Sequence, residues 1–230
     1  VLAEQEPKVS DFQRAANWMD LFRERDFKQN HPWHYINLPY NAEGLPSVAP
    51  ARPDNAVWAI NESRATLASA KAGDFLRAEA LRYLLHIVGD LHQPLHAVSR
   101  FSLALPDGDQ GGNLWKIGND DGTLHWFWDN GAGWLPRIDI HDQTEWKKTV
   151  PPLAAALVAE FPPETFAARG ESDPMVWARE SYALAVEVVY RGIQENETPN
   201  AEYLATAHPA VKRRLVLAGY RLAELLEGAL

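Results

Sequence analysis

The sequence predicts an all-α protein with a minor β hairpin. Apolar residues return at helical spacing along nearly the whole chain, and Pro, Gly and Asp gather between those stretches. Ala15, Trp18, Met19 and Phe22 trace one helical face near the N-terminus. Asn55 to Ala72 reads as a second helix, closed by Gly73. Asp74 can cap a third, whose core face is Leu81, Leu84, Leu85, Val88 and Leu91. Asp173-Pro174 opens a fourth, with Trp177, Ser181, Leu184 and Val188 on one side. The last runs from about Asn200, with Val211, Leu215, Ala218, Leu222 and Leu225 inward. Between the helices lie loops, chiefly Pro39–Pro53 and Leu105–Gly112, and Asn113 to His125 reads as a short hairpin around a Gly/Asn/Asp turn.

No repeat, low-complexity tract or Gly/Ser linker divides the 230 residues, so 1–230 reads as a single catalytic domain with a sizeable core. No apolar run approaches the ~20 residues that a membrane-spanning helix needs. Net charge is −9, from 22 basic and 31 acidic residues, which argues against a broad basic surface for duplex DNA. A phosphate ester remains a possible substrate where bound cations supply positive charge locally. Cysteine is absent, so any metal must sit on His and Asp or Glu. Asn61-Glu-Ser and Asn196-Glu-Thr fit glycosylation sequons short enough to arise by chance, and the lack of cysteine leans toward a bacterial exported protein.

The richest segment is Leu84-Leu-His-Ile-Val-Gly-Asp-Leu-His-Gln-Pro-Leu-His-Ala97. His86 and Asp90 are four apart, hence one turn apart on one helical face, where imidazole and carboxylate can hold a divalent ion. Pro94 lacks an N–H and clashes with the preceding turn, so a break there lets His96 look toward a second ion. His92 points elsewhere on the helical wheel. His125 and Asp129 repeat the four-residue spacing, Pro32-Trp-His-Tyr-Ile-Asn37 offers His34, and Asn17-Trp-Met-Asp20 offers Asp20. One such pair is more often an ion pair than a metal site. Two pairs packed against aromatic residues leave a multi-metal site and a structural role evenly balanced on spacing alone. Trp126, Phe127 and Trp128 read as partly core. His31, His141 and His208 read as isolated surface or loop residues, and Lys212-Arg-Arg214 as a solvated helix face. Gly111-Gly112 is a weak phosphate-loop signal by itself.

The motif LLHIVGDLHQPLHA resembles the central motif of the zinc-dependent single-strand nucleases and 3′-nucleotidases, the S-one/P-one nuclease family, relatives of the zinc phospholipases C. The segments NWMD, PWHYIN, QGGN and LHWFWD follow in the family's order, and WARESY and LAGYRLA match its late helices, so the likeness covers essentially the whole chain. It implies that family's helical fold and a trinuclear zinc cluster. Asp20, His34, His86 and Asp90 would hold one zinc, His96, His125 and Asp129 a second, and Asp90 would bridge to a third. Asp20 would also orient and help deprotonate the attacking water, Asn113 would contact the phosphate, and Tyr35 and Asn37 would stack on and hydrogen-bond a base.

The implied activity is endonucleolytic hydrolysis of single-stranded DNA and RNA to 5′-phosphorylated products, with 3′-nucleotidase activity. A zinc phospholipase C or a non-catalytic zinc-stabilised module is the alternative. Partners would be single strands and 3′-nucleotides rather than a membrane, and the protein a secreted or periplasmic monomer. One departure stands out. The family's mature chain begins with a Trp and a nearby His that bind the third zinc, whereas this sequence begins Val1-Leu-Ala-Glu and has no His before His31. The expectation is that the family's N-terminal ligand segment is missing, so that ligands within this chain support two zincs.

Overall fold

A computed structural model of the chain describes residues 15–23, 28–118, 122–139 and 142–229. In chain order the helices are α1 (Trp18–Arg23), α2 (Ala56–Ala68), α3 (Asp74–His92), α4 (Leu124–Asp129), α5 (Gln143–Glu160), α6 (Pro174–Leu184) and α7 (Ala201–Ala229). Two strands, β1 (Leu38–Asn41) and β2 (Val98–Phe101), form the one sheet among the described residues. The all-α class with minor β therefore holds.

Local chemistry explains the helix ends. The Asn55 side chain accepts the N–H groups of Val57 and Trp58, starting α2, and the helix stops at Ala68 rather than Ala72. Asp74 is the first residue of α3 and not its cap; Gly73 takes the cap position without a side-chain bond. The Asp74 carboxylate still favours the positive end of the helix. α3 ends at His92, and Pro94 opens a separate 3-10 turn, Pro94–Ala97, which carries His96. Asp173 caps α6, with Pro174 at its first turn as expected.

The β part differs from expectation. β1 and β2 pair in parallel, Leu38 opposite Val98 through Asn41 opposite Phe101. The expected hairpin reduces to one antiparallel bridge, Lys116 with Thr123; its tip at 119–121 lies outside the described residues. A parallel pair joins segments far apart in sequence, and Pro39 within β1 hides its strand character.

Two buried clusters form the core, and Tyr182 packs against both. The first holds Trp18, Ile60, Leu84, Ile87, Val88, Leu91 and Trp177; the second holds Leu95, Val98, Leu124, Trp128, Val189 and Tyr203. Trp128 donates its indole N–H to Tyr203 across the second. A smaller cluster places Leu157 of α5 against Val216 and Leu217 of α7. Beyond α6 the chain widens into a π-helical turn, Ala185–Val189. The extra residue per turn rotates the inward face, so Ala185 and Val189 are buried where Val188 was expected. Leu215, expected inward, is 42% exposed. The side chain of Phe22 lies outside what the structure describes. No described helix is long and apolar enough to cross a membrane.

Candidate metal centre

The sheet sets the geometry of the centre, because each strand follows a 3-10 turn that carries a histidine. Lys28–His34 leads into β1, and Pro94–Ala97 leads into β2. Ahead of the paired strands, Ile36 N–H donates to the His96 carbonyl at 2.9 Å. In return, His96 Nδ1–H donates to the His34 carbonyl at 2.7 Å. Two histidines that are 62 residues apart are thereby held side by side.

α3 brings the remaining groups in. His86 and Asp90 share one face of it; six of the seven residues expected as ligands fall into two clusters, and Asp90 lies between them. Ligand atoms of Asp20, His34 and His86 lie within 4.8 Å of one another, as do those of His96, His125 and Asp129. Asp90 Oδ2 sits 2.9 Å from His34 Nδ1 and 3.1 Å from His86 Nε2. Its other oxygen faces the second cluster, 3.9 Å from His96 Nδ1. In that second cluster Asp129 Oδ1 is 3.3 Å from His96 Nε2, and Oδ2 is 3.4 Å from His125 Nε2.

The tautomers follow from the backbone. Nδ1 of His86 faces the Ala16 carbonyl at 2.6 Å, and Nδ1 of His125 faces the Gly111 carbonyl at 2.7 Å. A carbonyl only accepts, so these nitrogens, like Nδ1 of His96, carry the proton and leave an Nε2 lone pair aimed into the cluster. A neutral imidazole would thus set its Nε2 lone pair against a carboxylate oxygen, acceptor against acceptor, unless a second proton sits there. A divalent cation resolves that conflict, and the N/O donor set fits one.

Without an ion, electrostatics favour that second proton. Burial disfavours a charged His86, yet the carboxylates of Asp90 and Asp20 outweigh it and raise its pKa to about 9. His96 rises to about 9 as well, burial being overcome by Asp90 and Asp129. Burial works against ionised Asp90, but the charges of His86 and His96 and the bonds from His34 and His86 hold it well below the usual carboxylate range. Asp129 is lowered by His96 and His125 against its own burial, and burial lowers His125. The pocket therefore keeps its carboxylates ionised against protonated His86 and His96, positive charge that a bound cation would replace. Imidazole side chains of His86, His96 and His125 are 10–16% exposed, whereas Asp20 and Asp129 are 42% and 41% exposed. The clusters open to solvent on their carboxylate side. A cleft of about 210 Å³ beside them is lined by Asp90, Gln93, His96, Asp129, Arg214 and Leu215, which explains the exposure of Leu215. A larger cavity of about 540 Å³, between Asn61, Arg64, Arg169 and Glu224, contains none of these groups.

The other site residues are placed as follows. Tyr35 and Asn37 lie between His34 and β1 and line a pocket of about 140 Å³ with Pro32, Arg52 and Phe101. Asn37 adopts a left-handed φ of 54°, which an Asn tolerates better than most residues. His31 is not isolated: its ring meets that of Tyr35 edge-on at 5.6 Å. His208 likewise donates Nε2–H to the Ala132 carbonyl, and His141 lies outside the described residues. Asn113 is exposed and donates its amide to the Gln110 carbonyl at 2.9 Å. His92 turns away from the clusters as expected, with Nδ1–H on the Val88 carbonyl and Nε2 accepting from Arg221. Lys212-Arg-Arg214 is not one solvated face. Arg214 reaches inward to the His92 carbonyl, Ser181 and Glu180.

Gln93 was missed, and Gly111 was read only as part of a weak phosphate-loop signal. Gly111 supplies the carbonyl that orients His125, from a left-handed φ of +63°. Gln93 donates Nε2–H to Asp129 Oδ1 at 2.7 Å. Their place between or beside histidines was the available signal.

A mainly helical hydrolase-like scaffold holding two adjacent His/Asp clusters is the class these features define. The family model described as S1/P1 Nuclease matches residues 2–230, and the chain belongs to that family of hydrolytic nucleases. It is 26% identical over 237 residues to Endonuclease 2 of Arabidopsis thaliana, covering 96% of this chain and 79% of that protein. Endonuclease 5 of the same plant is 31% identical over 159 residues, covering 64% of this chain and 50% of its own length. Nuclease S1 of Aspergillus oryzae is 26% identical, covering 93% and 77%.

Proposed function

We propose that this nuclease is zinc-dependent, that it cleaves single-stranded DNA and RNA to 5′-phosphorylated products, and that it also removes the phosphate of 3′-nucleotides. The observation that carries the reading is the pair of adjoining clusters, whose imidazole Nε2 atoms face carboxylate oxygens. Asp20, His34, His86 and Asp90 would hold one zinc, and His96, His125 and Asp129 another. An all-N/O donor set without thiolate suits zinc in a catalytic setting with an open position. When bound, the Lewis acid lowers the pKa of a nearby water from ~16 toward ~7 and offsets the charge growing on phosphate oxygens.

The protein's own groups do the rest. Asp20, at the open edge, accepts the proton of the attacking water through a carboxylate oxygen. The Nδ1–carbonyl bonds of His86, His96 and His125 keep the imidazoles from reorganising as charge develops. Asn113 uses its second amide N–H on a phosphate oxygen. The water oxygen bonds phosphorus as the P–O3′ bond breaks, the departing 3′-oxygen takes up a proton from solvent, and the phosphate stays on the 5′-oxygen. Tyr35 and Asn37 take one base in the pocket beside His34, which a splayed single strand permits and a stacked duplex does not. A secreted or periplasmic location and a monomeric state belong to the same reading.

Zinc content measured with hydrolysis of single-stranded oligonucleotides and 3′-AMP, before and after chelation, tests it. Bound zinc with chelator-sensitive release of 5′-phosphorylated products is the expected result. Turnover that survives complete removal of metal would overturn the zinc assignment, and preference for duplex would overturn the substrate.

A further inference from the structure

Gln93 stands where three parts of the centre meet. Its backbone closes α3, the N–H donating to the Asp90 carbonyl at 2.9 Å. Its side-chain Oε1 accepts the Leu95 N–H at 2.6 Å and so caps the turn that carries His96. Its Nε2–H crosses to Asp129 Oδ1 at 2.7 Å, 36 residues away in sequence. The amide orientation is fixed by these partners. Turning it over would set two acceptors against each other at Asp129 and two donors at Leu95.

Asp129 needs such a tether. It is the last residue of the six-residue α4, and the backbone beyond it leaves helical geometry at once, with positive φ at Gly131, Ala132 and Gly133. Its side chain is also among the more exposed in the centre, at 41%. Without a fixed partner the carboxylate would sample several rotamers, and freezing them on ion binding would weaken that binding.

We infer that Gln93 is a positioning residue for the second cluster: by pinning Asp129 Oδ1 while capping the His96 turn, it presents Oδ2 and the two imidazoles to one cation in fixed register. The inference rests on the proposal that the cluster holds zinc. It divides the work of one carboxylate, with Oδ1 held by the protein and Oδ2, 3.4 Å from His125 Nε2, left for the ion. It also makes one side chain answerable for both halves of that site, since His96 and Asp129 come from separate elements.

The test separates capping from tethering. Gln93→Ser keeps a short side-chain acceptor for the Leu95 N–H but cannot reach Asp129, and it changes no charge. Zinc affinities of the full chain are read by competition with a chromophoric chelator. Asp129→Ala identifies the second site and Asp20→Asn the first. In Gln93→Ser the site weakened by Asp129→Ala is expected to weaken ~10–100-fold, the other site to hold, and the metal-free melting temperature to stay close to that of the parent. In an Asp129→Ala background, Gln93→Ser should cause no further loss. Should Gln93→Ser melt far lower, Gln93→Asn, a strong cap of shorter reach, replaces it under the same criteria. Equal weakening of both sites, unchanged affinity at both, or an undiminished effect without Asp129 would each overturn the inference while leaving the zinc reading intact. A parent chain that binds no zinc overturns both.

Discussion

Replacing Gly111 with alanine should damage the protein twice over, and the structure sets the size of each effect. A Cβ at Gly111 would stand 2.3 Å from the Leu95 carbonyl oxygen and 3.2 Å from that of Val98. Both neighbours are backbone, so neither can swing aside. The positive φ costs an alanine about 1–2 kcal/mol, and forcing the turn away from Leu95 adds about 1–3 kcal/mol. A total near 3 kcal/mol would lower the melting temperature of a chain this size by roughly 6–12 °C. Gly44 provides the control: its φ is +69°, yet a Cβ there meets nothing within 4 Å. Gly44→Ala should show the φ cost alone. Displacing the Gly111 carbonyl also loosens the bond that orients His125, so zinc affinity at the second cluster should fall in Gly111→Ala and not in Gly44→Ala. Thermal unfolding of metal-free protein and chelator competition give the two readouts. Equal melting temperatures for the two variants would refute the steric argument, and unchanged zinc binding would refute the link to His125.

Other expectations follow from the same geometry. Asp20→Asn should keep the fold, since the side chain is at the open edge, yet lose at least ~100-fold in kcat on an oligonucleotide. Near-normal turnover would remove Asp20 from its role. His86→Gln should release zinc, whereas His92→Gln should retain it and show its cost in stability through the lost Arg221 contact; metal analysis of the two variants decides. Zinc held 100-fold above the dissociation constant of one site should stabilise the chain by about 2.7 kcal/mol, so a melting curve that ignores EDTA would count against either cluster as a metal site.

Much of the helical frame could be read in the sequence, because α2, α3, α6 and α7 carry local signals of period and capping. α5 could not: Pro151 and Pro152 lie inside it and mask a helix whose support comes from packing against α7. The π-helical turn after α6 moved the buried face by one residue, a shift that no 3.6-residue count anticipates. In the centre, His86 with Asp90 and His125 with Asp129 were legible as i, i+4 pairs. Asp20 and His34 could be named as donors, but their grouping with His86 rested on resemblance, because their convergence depends on contacts between distant segments. The roles of Gly111 and Gln93 were not legible because they act through a backbone carbonyl and a side-chain amide rather than through a ligand atom.

The parallel pairing of β1 with β2 has a consequence for how the centre comes into being. Its rungs close a loop that contains all of α2 and α3, so His34 and His96 meet only after that helical hairpin has docked. A slip of one rung would carry every side chain of β1 to the opposite face of the ribbon and pull His34 from Asp90 and its carbonyl from His96 together. Neither half of the centre can be assembled or misassembled by itself. Metal uptake during refolding would thus report a late, all-or-none event, and stopped-flow zinc binding could serve as a clock for the moment the strands come into register.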